Sequence, residues 1–204
     1  MKKKGIYQFK SYKKESKEYT LSVLTENKAG LLNHITIIFN IRKINIDSLN
    51  VSTTEVKGVS RFTIVVKSNK EKIIKILNQI NKLIDVLGAF LYEEGETYYQ
   101  EIALYKLSTK IFLKGDNVEK IVRKNGAKIL IIEEDHTIIQ KTGTKSETQK
   151  LYNELEKFGS ILEFVRSGRV AVSKSKRKTE NFIKELEKIK SNKLNIKQIN
   201  YGKN

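Results

Sequence analysis

A regular pattern begins at Tyr19, where Tyr19, Leu21 and Val23 alternate with Thr20 and Ser22, the period of a half-buried strand. The polar loop Glu26-Asn27-Lys28-Ala29-Gly30 interrupts it. Leu31, Ile35, Ile38 and Phe39 then recur at the spacing of one helix face. Ile46 to Thr54 reads as a strand and Val56-Lys57-Gly58-Val59 as a turn. Phe62, Ile64 and Val66 alternate again with Arg61, Thr63 and, imperfectly, Val65. A second helix is predicted from Lys70 to Leu83, with Ile73, Ile74, Leu77, Ile80 and Ile84 on its apolar side, and Val86 to Tyr92 closes the unit as a strand. The predicted order is βαββαβ.

The second half repeats that order without repeating the sequence. Tyr98 to Leu107 is strand-like, and Val118, Ile121 and Val122 suggest a short helix. Lys128 to Ile132 and Thr137 to Lys141 flank the turn Glu133-Glu134-Asp135-His136. Leu151, Leu155 and Phe158 mark another helix, and Ile161 to Val165 and Val170 to Val172 finish as strands around Ser167-Gly168. Two split-βαβ units of about 75 residues each fit the length. The expected fold class is therefore α+β, with a polar extension at 1–18, a first unit at 19–95, a second at 96–173 and a Lys-rich extension at 174–204. In that last segment Phe182, Ile183, Leu186 and Ile189 have helical spacing, a basic amphipathic stretch that could dock on the body.

Composition changes this picture little. With 204 residues and 39% hydrophobic content there is enough apolar material for two cores. Cysteine is absent, which removes disulfides and thiolate sites, and two histidines make a His-based zinc centre a poor expectation. No apolar run reaches the roughly 18 residues of a membrane span, and the basic start lacks the apolar core of a secretory signal. A cytoplasmic protein with no membrane partner is expected. The net charge of +17 is concentrated at the ends: seven Lys face two Glu in residues 1–18, and ten Lys or Arg face three Glu in residues 174–204. Abundant Lys, Ile and Asn with no Pro or Trp fit an AT-rich gene, and arginine is scarce for phosphate recognition. A nucleic-acid partner is not expected.

The chemistry of catalysis is missing from the sequence. No phosphate-cradling glycine loop, HExxH or GxSxG occurs. Glu93, Glu94 and Glu96, like Glu133, Glu134 and Asp135, read as solvated turns, and His34 and His136 as structural or surface residues. No catalytic and no metal-binding residue is assigned. One segment does point to a ligand: in Leu24-Thr25-Glu26-Asn27-Lys28-Ala29-Gly30-Leu31-Leu32 a strand ends, a loop follows and a helix begins. A helix start offers unpaired N–H groups and partial positive charge to a carboxylate. Gly30 has no Cβ and tolerates positive φ, and Asn27 can both donate and accept, as a zwitterionic amino acid requires. Asn45-Ile46, at the next junction, adds an amide and an apolar wall. A turn glycine with an Asn cap is the plainer reading of the same residues.

Six segments in this order carry a resemblance: LSVLTENKAGLL at 21–32, RKINIDSLNVSTTE at 42–55, SRFTIVV at 60–66, QINKLIDV at 79–86, EIALYKL at 101–107 and RSGRVAV at 166–172. Over about residues 19–173 the chain resembles the regulatory (small) subunits of acetolactate synthase. The resemblance implies two ferredoxin-like βαββαβ domains, the first an ACT domain, and no catalysis by this chain. It implies a large catalytic subunit as partner, which carries thiamine diphosphate, magnesium and FAD and condenses pyruvate in branched-chain amino-acid synthesis. It further implies a homodimer through the ACT domain and a branched-chain amino-acid effector, valine first, at the dimer interface. Matched residue by residue, Asn27, Gly30, Leu31 and Leu32 would come from one protomer and Asn45 and Ile46 from the other.

Three departures bear on that site. Ala29 stands where the family usually has Pro or another small residue, Asn33 where Ser is typical, and Lys43-Ile44 where Gly plus an aromatic precede Asn45. They leave open which amino acid acts as effector and whether feedback is retained. Two other readings remain at this stage: a free-standing ACT-type amino-acid sensor, and a nucleic-acid binder that uses the basic ends.

Overall fold

The computed structural model describes residues 16–112, 116–159, 161–175, 182, 184, 185 and 188. Most of both extensions, including Ile183, Leu186 and Ile189 of the predicted amphipathic stretch, lies outside these residues.

The first unit runs β1 (Lys17–Glu26), α1 (Leu31–Ile41), β2 (Ile46–Thr53), β3 (Val59–Ser68), α2 (Lys70–Ile80), β4 (Val86–Tyr92). Its antiparallel sheet has the order β2-β3-β1-β4. The alternation read from the sequence decides which face is covered: Tyr19, Leu21 and Val23 of β1 and Phe62, Ile64 and Val66 of β3 point at the helices. There they meet Leu31, Ile35, Ile38 and Phe39 of α1 and Ile73, Ile76 and Ile80 of α2. Each such fully buried aliphatic side chain contributes about 1.5–3 kcal/mol. α2 is shorter than predicted and rotated: Ile76 is buried in place of Ile74, which is 39% exposed, and Ile84, beyond the helix, is 98% exposed. The run Ile73-Ile74-Lys75-Ile76-Leu77 offers two overlapping apolar stripes, and packing on the sheet selects the one with Ile76.

The second unit has the same sheet order. It runs β5 (Thr97–Ser108), α3 (Thr109–Phe112), α4 (Asp116–Lys124), β6 (Lys128–Ile132), β7 (His136–Gly143), α5 (Lys145–Glu156), β8 (Ile161–Arg166), β9 (Val170–Ser173). The sheet order is β6-β7-β5-β8, with β9 pairing to the first residues of β5. Its core gathers Ala103, Tyr105, Leu107, Val118, Val122, Ile139, Leu151 and Leu155. Phe158 falls after α5 and is 38% exposed, so the third member of that predicted stripe is not core. The short α3 was not predicted. It begins at Thr109, whose hydroxyl donates to the Glu133 carbonyl at 2.8 Å and lies 2.9 Å from the Thr137 hydroxyl, a local tie no periodicity reveals.

The two units touch through the turn between β8 and β9. Arg169 is 5% exposed. Its guanidinium donates to the Thr20 hydroxyl at 2.7 Å and to the Glu18 carboxylate, and it stacks 3.6 Å from the Tyr99 ring centroid. Gly168 has φ +79, and a Cβ built on it would lie 3.2 Å from the Ser48 Cβ, so a glycine lets the turn lie against β2. This ribbon covers part of the sheet face of the first unit that the helices leave bare. Elsewhere on that face Phe182 meets Phe90 edge-on, with ring centroids 5.4 Å apart, over Leu24, Val56 and Val59.

Candidate functional site

The loop from Glu26 to Gly30 is held at both sides by backbone bonds. Glu26 N–H donates to the Asp85 carbonyl at 2.9 Å, Asn27 N–H to Gly58 at 3.0 Å and Lys28 N–H to Glu26 at 3.0 Å. The Lys28 ammonium is also committed, 2.6 Å from Asp85 and 2.9 Å from Glu26. The hydrogen bonds to Asp85 first and to Glu26 second hold its pKa well above the ordinary lysine value. The loop is thus braced, and neither the Asn27 amide N–H nor the Lys28 charge is left for a ligand. What remains exposed is the side chain of Asn27 and the start of α1.

That start differs from those of α2 and α5. α2 is capped by Asn69, whose side chain accepts from Lys72 N–H at 2.9 Å, and α5 by a reciprocal box between Thr144 and Glu147. The Thr144 bonds also hold the Glu147 carboxyl below its ordinary range. α1 begins at Gly30 with φ +84, has no side-chain cap and has no acidic residue in its first turn. The first N–H groups of α1 therefore face outward with the positive end of the helix dipole and no internal anion. Nothing lies within 4 Å of a Cβ built on Gly30, so the approach is open. Leu31 is 3% exposed and packs in the core, so at the surface it offers its N–H and not its side chain, whereas Leu32 is 45% exposed. Asn33 is exposed on the first turn, and Ala29 is exposed beside it.

Asn45 and Ile46 lie elsewhere. Ile46 pairs with Val66, which pairs with Tyr19, while Glu26 pairs with Val59 at the other end of the sheet. Seven residues of β1 separate the two rows, about 23 Å at the rise of a strand. Within one chain Asn27, Gly30, Leu31 and Leu32 form one group and Asn45 and Ile46 another, and no small ligand spans both. Asn45 opens onto a hollow of about 410 Å³ lined by Lys43, Lys67, Asn69 and Lys72. Ile44 is 9% exposed and joins the core, so of the Lys43-Ile44 departure only Lys43 reaches the surface. Lys43 has φ +52, the one non-glycine with positive φ among the described residues. A glycine would adopt that conformation without strain, which is the physical reason for a Gly there.

In the two acidic clusters Glu93, Glu96 and Asp135 are held by local partners. Glu96 accepts from Glu93 N–H at 2.8 Å, and Lys70 lies 2.7 Å from Glu93 and draws its carboxyl below the usual range. Asp135 is lowered in the same way by its hydrogen bond to His136, which is the first residue of β7 and not part of the turn itself. Among the described residues no group of three or more His, Asp and Glu is arranged to hold a metal ion, and no helix is long and apolar enough to cross a membrane.

Comparison with known proteins decides the family. The family model of the AHAS small subunit-like ACT domain matches residues 21–88, and that of the small subunit of acetolactate synthase matches residues 100–175. The acetolactate synthase small subunit of Mycolicibacterium smegmatis is 37% identical over 159 residues, 78% of this chain and 92% of the relative. The chain belongs to the acetolactate synthase small-subunit family. The probable small subunit of Archaeoglobus fulgidus is 31% identical over 79% of this chain and 99% of that relative. The crystal structure of the Thermotoga maritima small subunit superposes with a TM-score of 0.70 at 28% identity, over 78% of this chain and 98% of that one. The two-unit fold is that of the family, with an ACT domain first.

Asn45 is unremarkable by composition, and only the register of the next residue, Ile46, with β3 reveals that it sits a strand length from the loop. The Arg169 contact is a residue that sequence reasoning missed as a junction. Nothing in Arg166-Ser167-Gly168-Arg169 signals it, because its partners Thr20 and Glu18 lie 149 and 151 positions away along the chain.

Proposed function

We propose that this chain is the regulatory subunit of acetolactate synthase, that it raises the activity of a large catalytic subunit, and that a branched-chain amino acid, valine first, reverses that effect. Thiamine diphosphate, magnesium and FAD then belong to the large subunit. The observation that carries the effector reading is the open start of α1: a braced loop, a positive-φ Gly30 and a helix end with neither cap nor acid. These donors suit the effector's carboxylate, the Asn27 side chain its polar head, and exposed Leu32 its branched side chain. The distance between the loop and Asn45-Ile46 supports a site shared by two protomers, since a two-fold axis can bring one end of a sheet against the opposite end of its copy. The effector acts by binding one arrangement of the complex better than another, and a coupling of about 1–3 kcal/mol changes activity roughly 5–150-fold.

The test is acetolactate formation by the cognate large subunit, with and without this protein, across a valine titration, with leucine and isoleucine in parallel. Stimulation that valine reverses is expected. Effector binding with no change in acetolactate formation would favour a free-standing sensor instead. Gly30→Asp puts a carboxylate where the effector's own belongs, so inhibition is expected to disappear while stimulation stays near normal. Equal loss of both would make the loop a structural or subunit contact.

A further inference from the structure

A hollow of about 380 Å³ lies at the junction of the two units. That is the size of a small-ligand cleft, and such clefts gather where domains meet. Residues of β1, β2 and β3 line it from the first unit, and residues of β5, the start of α5 and the β8–β9 turn line it from the second. None of the six residues assigned to the effector site borders it. Six charged side chains do, the acids Glu18, Asp47 and Glu101 and the bases Lys145, Arg166 and Arg169. Glu18 and Arg169 satisfy each other. The other four are left short. Arg166 Nη1 stands 3.8 Å from the Glu101 carboxylate, beyond hydrogen-bond reach, and it is buried without a hydrogen-bond partner. Glu101 is 6% exposed and accepts no hydrogen bond among the described residues, and Asp47 and Lys145 have no ion pair there.

A buried guanidinium N–H without an acceptor is costly, and in a native fold water, an ion or a ligand meets it. The balance of charge selects among these. With two acids and two bases unsatisfied, a simple anion would face Asp47 and Glu101 as well as Lys145 and Arg166, and a simple cation would face the reverse. A molecule that carries both charges satisfies both pairs. Leu49 and Val65 add an apolar wall. We infer that this hollow binds a free amino acid within a single chain. Its carboxylate accepts from Arg166 Nη1 and Lys145, its ammonium donates to Glu101 and Asp47, and its side chain rests on Leu49 and Val65. The site is additional to the one shared by two protomers, and it stands whether or not valine binds at the start of α1.

The experiment uses the full chain carrying Gly30→Asp, which disables the loop half of the shared site. Each of the common protein amino acids is titrated into it in turn by calorimetry, and circular dichroism checks the fold of every variant. At least one amino acid is expected to bind with one site per chain. Its N-acetyl and carboxamide derivatives each lack one charge and are expected to bind about tenfold more weakly, or worse. Arg166→Gln is expected to weaken binding by a similar factor, and so is Asp47→Asn, a change at an exposed position that leaves the core untouched. Binding that Gly30→Asp abolishes belongs to the shared site. A folded Gly30→Asp chain that binds none of the amino acids would therefore overturn the inference and leave the hollow to water. So would binding that survives both Arg166→Gln and Asp47→Asn, or a carboxamide that binds as well as its parent.

Discussion

The two units share one sheet order and treat their second face in opposite ways. In the ACT unit the face away from the helices mixes Thr20, Ser22 and Thr63 with Leu24, Val59, Val65 and Phe90, and the chain itself covers it with Arg169, the β8–β9 turn and Phe182. In the second unit the same face carries Ile102, Leu104, Ile131 and Val165, each exposed by 40% or more among the described residues. The helix starts differ in a parallel way. α2 and α5, at equivalent places in the two units, are closed by side-chain caps, whereas α1 is open. Topology alone thus carries no function. What a face or a helix start does follows from which side chains satisfy it within the chain and which groups are left for something else.

The largest expected effect comes from breaking the junction. Arg169→Ala leaves the partly buried Glu18 carboxylate and the buried Thr20 hydroxyl without their donor, and a loss of about 2–3 kcal/mol is expected in chemical denaturation. Arg169→Lys recovers little, because the forked contact and the stacking on Tyr99 need a guanidinium. A loss within about 0.5 kcal/mol, the range of an ordinary surface change, would mean that the turn merely rests on the first sheet.

A smaller effect separates the two cores. The first has its tyrosine, Tyr19, near the start of β1, whereas the second holds Tyr105 fully buried, with its hydroxyl donating to the Thr148 carbonyl at 2.7 Å. Burial pushes the Tyr105 pKa up to about 12. The folded state thus holds this proton more tightly than the unfolded chain. Its contribution is complete below the unfolded value near pH 10 and is lost as pH rises toward 12. Tyr105→Phe is expected to cost about 1 kcal/mol at neutral pH and to flatten the alkaline part of the stability curve. An unchanged alkaline limb would show that another group governs it.

The smallest effect has the opposite sign. Lys43→Gly relieves the positive φ at 43 and is expected to stabilise the ACT unit by about 0.5–1 kcal/mol, read as a rise in midpoint without a change in slope. Destabilisation would mean that the Lys43 side chain contributes more than its backbone conformation costs.

Much of this fold is legible in the alternation of β1 and β3 and in the stripe Leu31, Ile35, Ile38, Phe39, because one face there is apolar throughout while the other is broken by Thr20, Ser22, Arg61 and Thr63, with Val65 as an exception. Where a segment is apolar all round the pattern loses its power. Ile73, Ile74, Ile76 and Leu77 allow two helix faces, and the choice is made by the sheet. The short α3 depends on hydroxyl bonds from Thr109 that leave no periodic trace. At the candidate site, the loop and Gly30 were readable because a strand, a glycine and a helix follow in close succession. The commitment of Lys28 to Asp85 and Glu26, the burial of Leu31 and Ile44, and the distance to Asn45 were not, since each depends on partners far along the chain.

The central claim is that the effector site is split between two chains, and subunit mixing tests it directly. Gly30→Asp and Asn45→Ala proteins each lack one half of every site and are expected to bind valine poorly when alone. Mixed in equal amounts and allowed to exchange, they form hybrid dimers in which one site has an intact loop from one chain and an intact Asn45 from the other. Valine binding measured by calorimetry is expected to return to about a quarter of the wild-type sites, the statistical share for random pairing. No recovery, in hybrids shown to have formed, would contradict the shared site and return the search to a ligand site within a single chain.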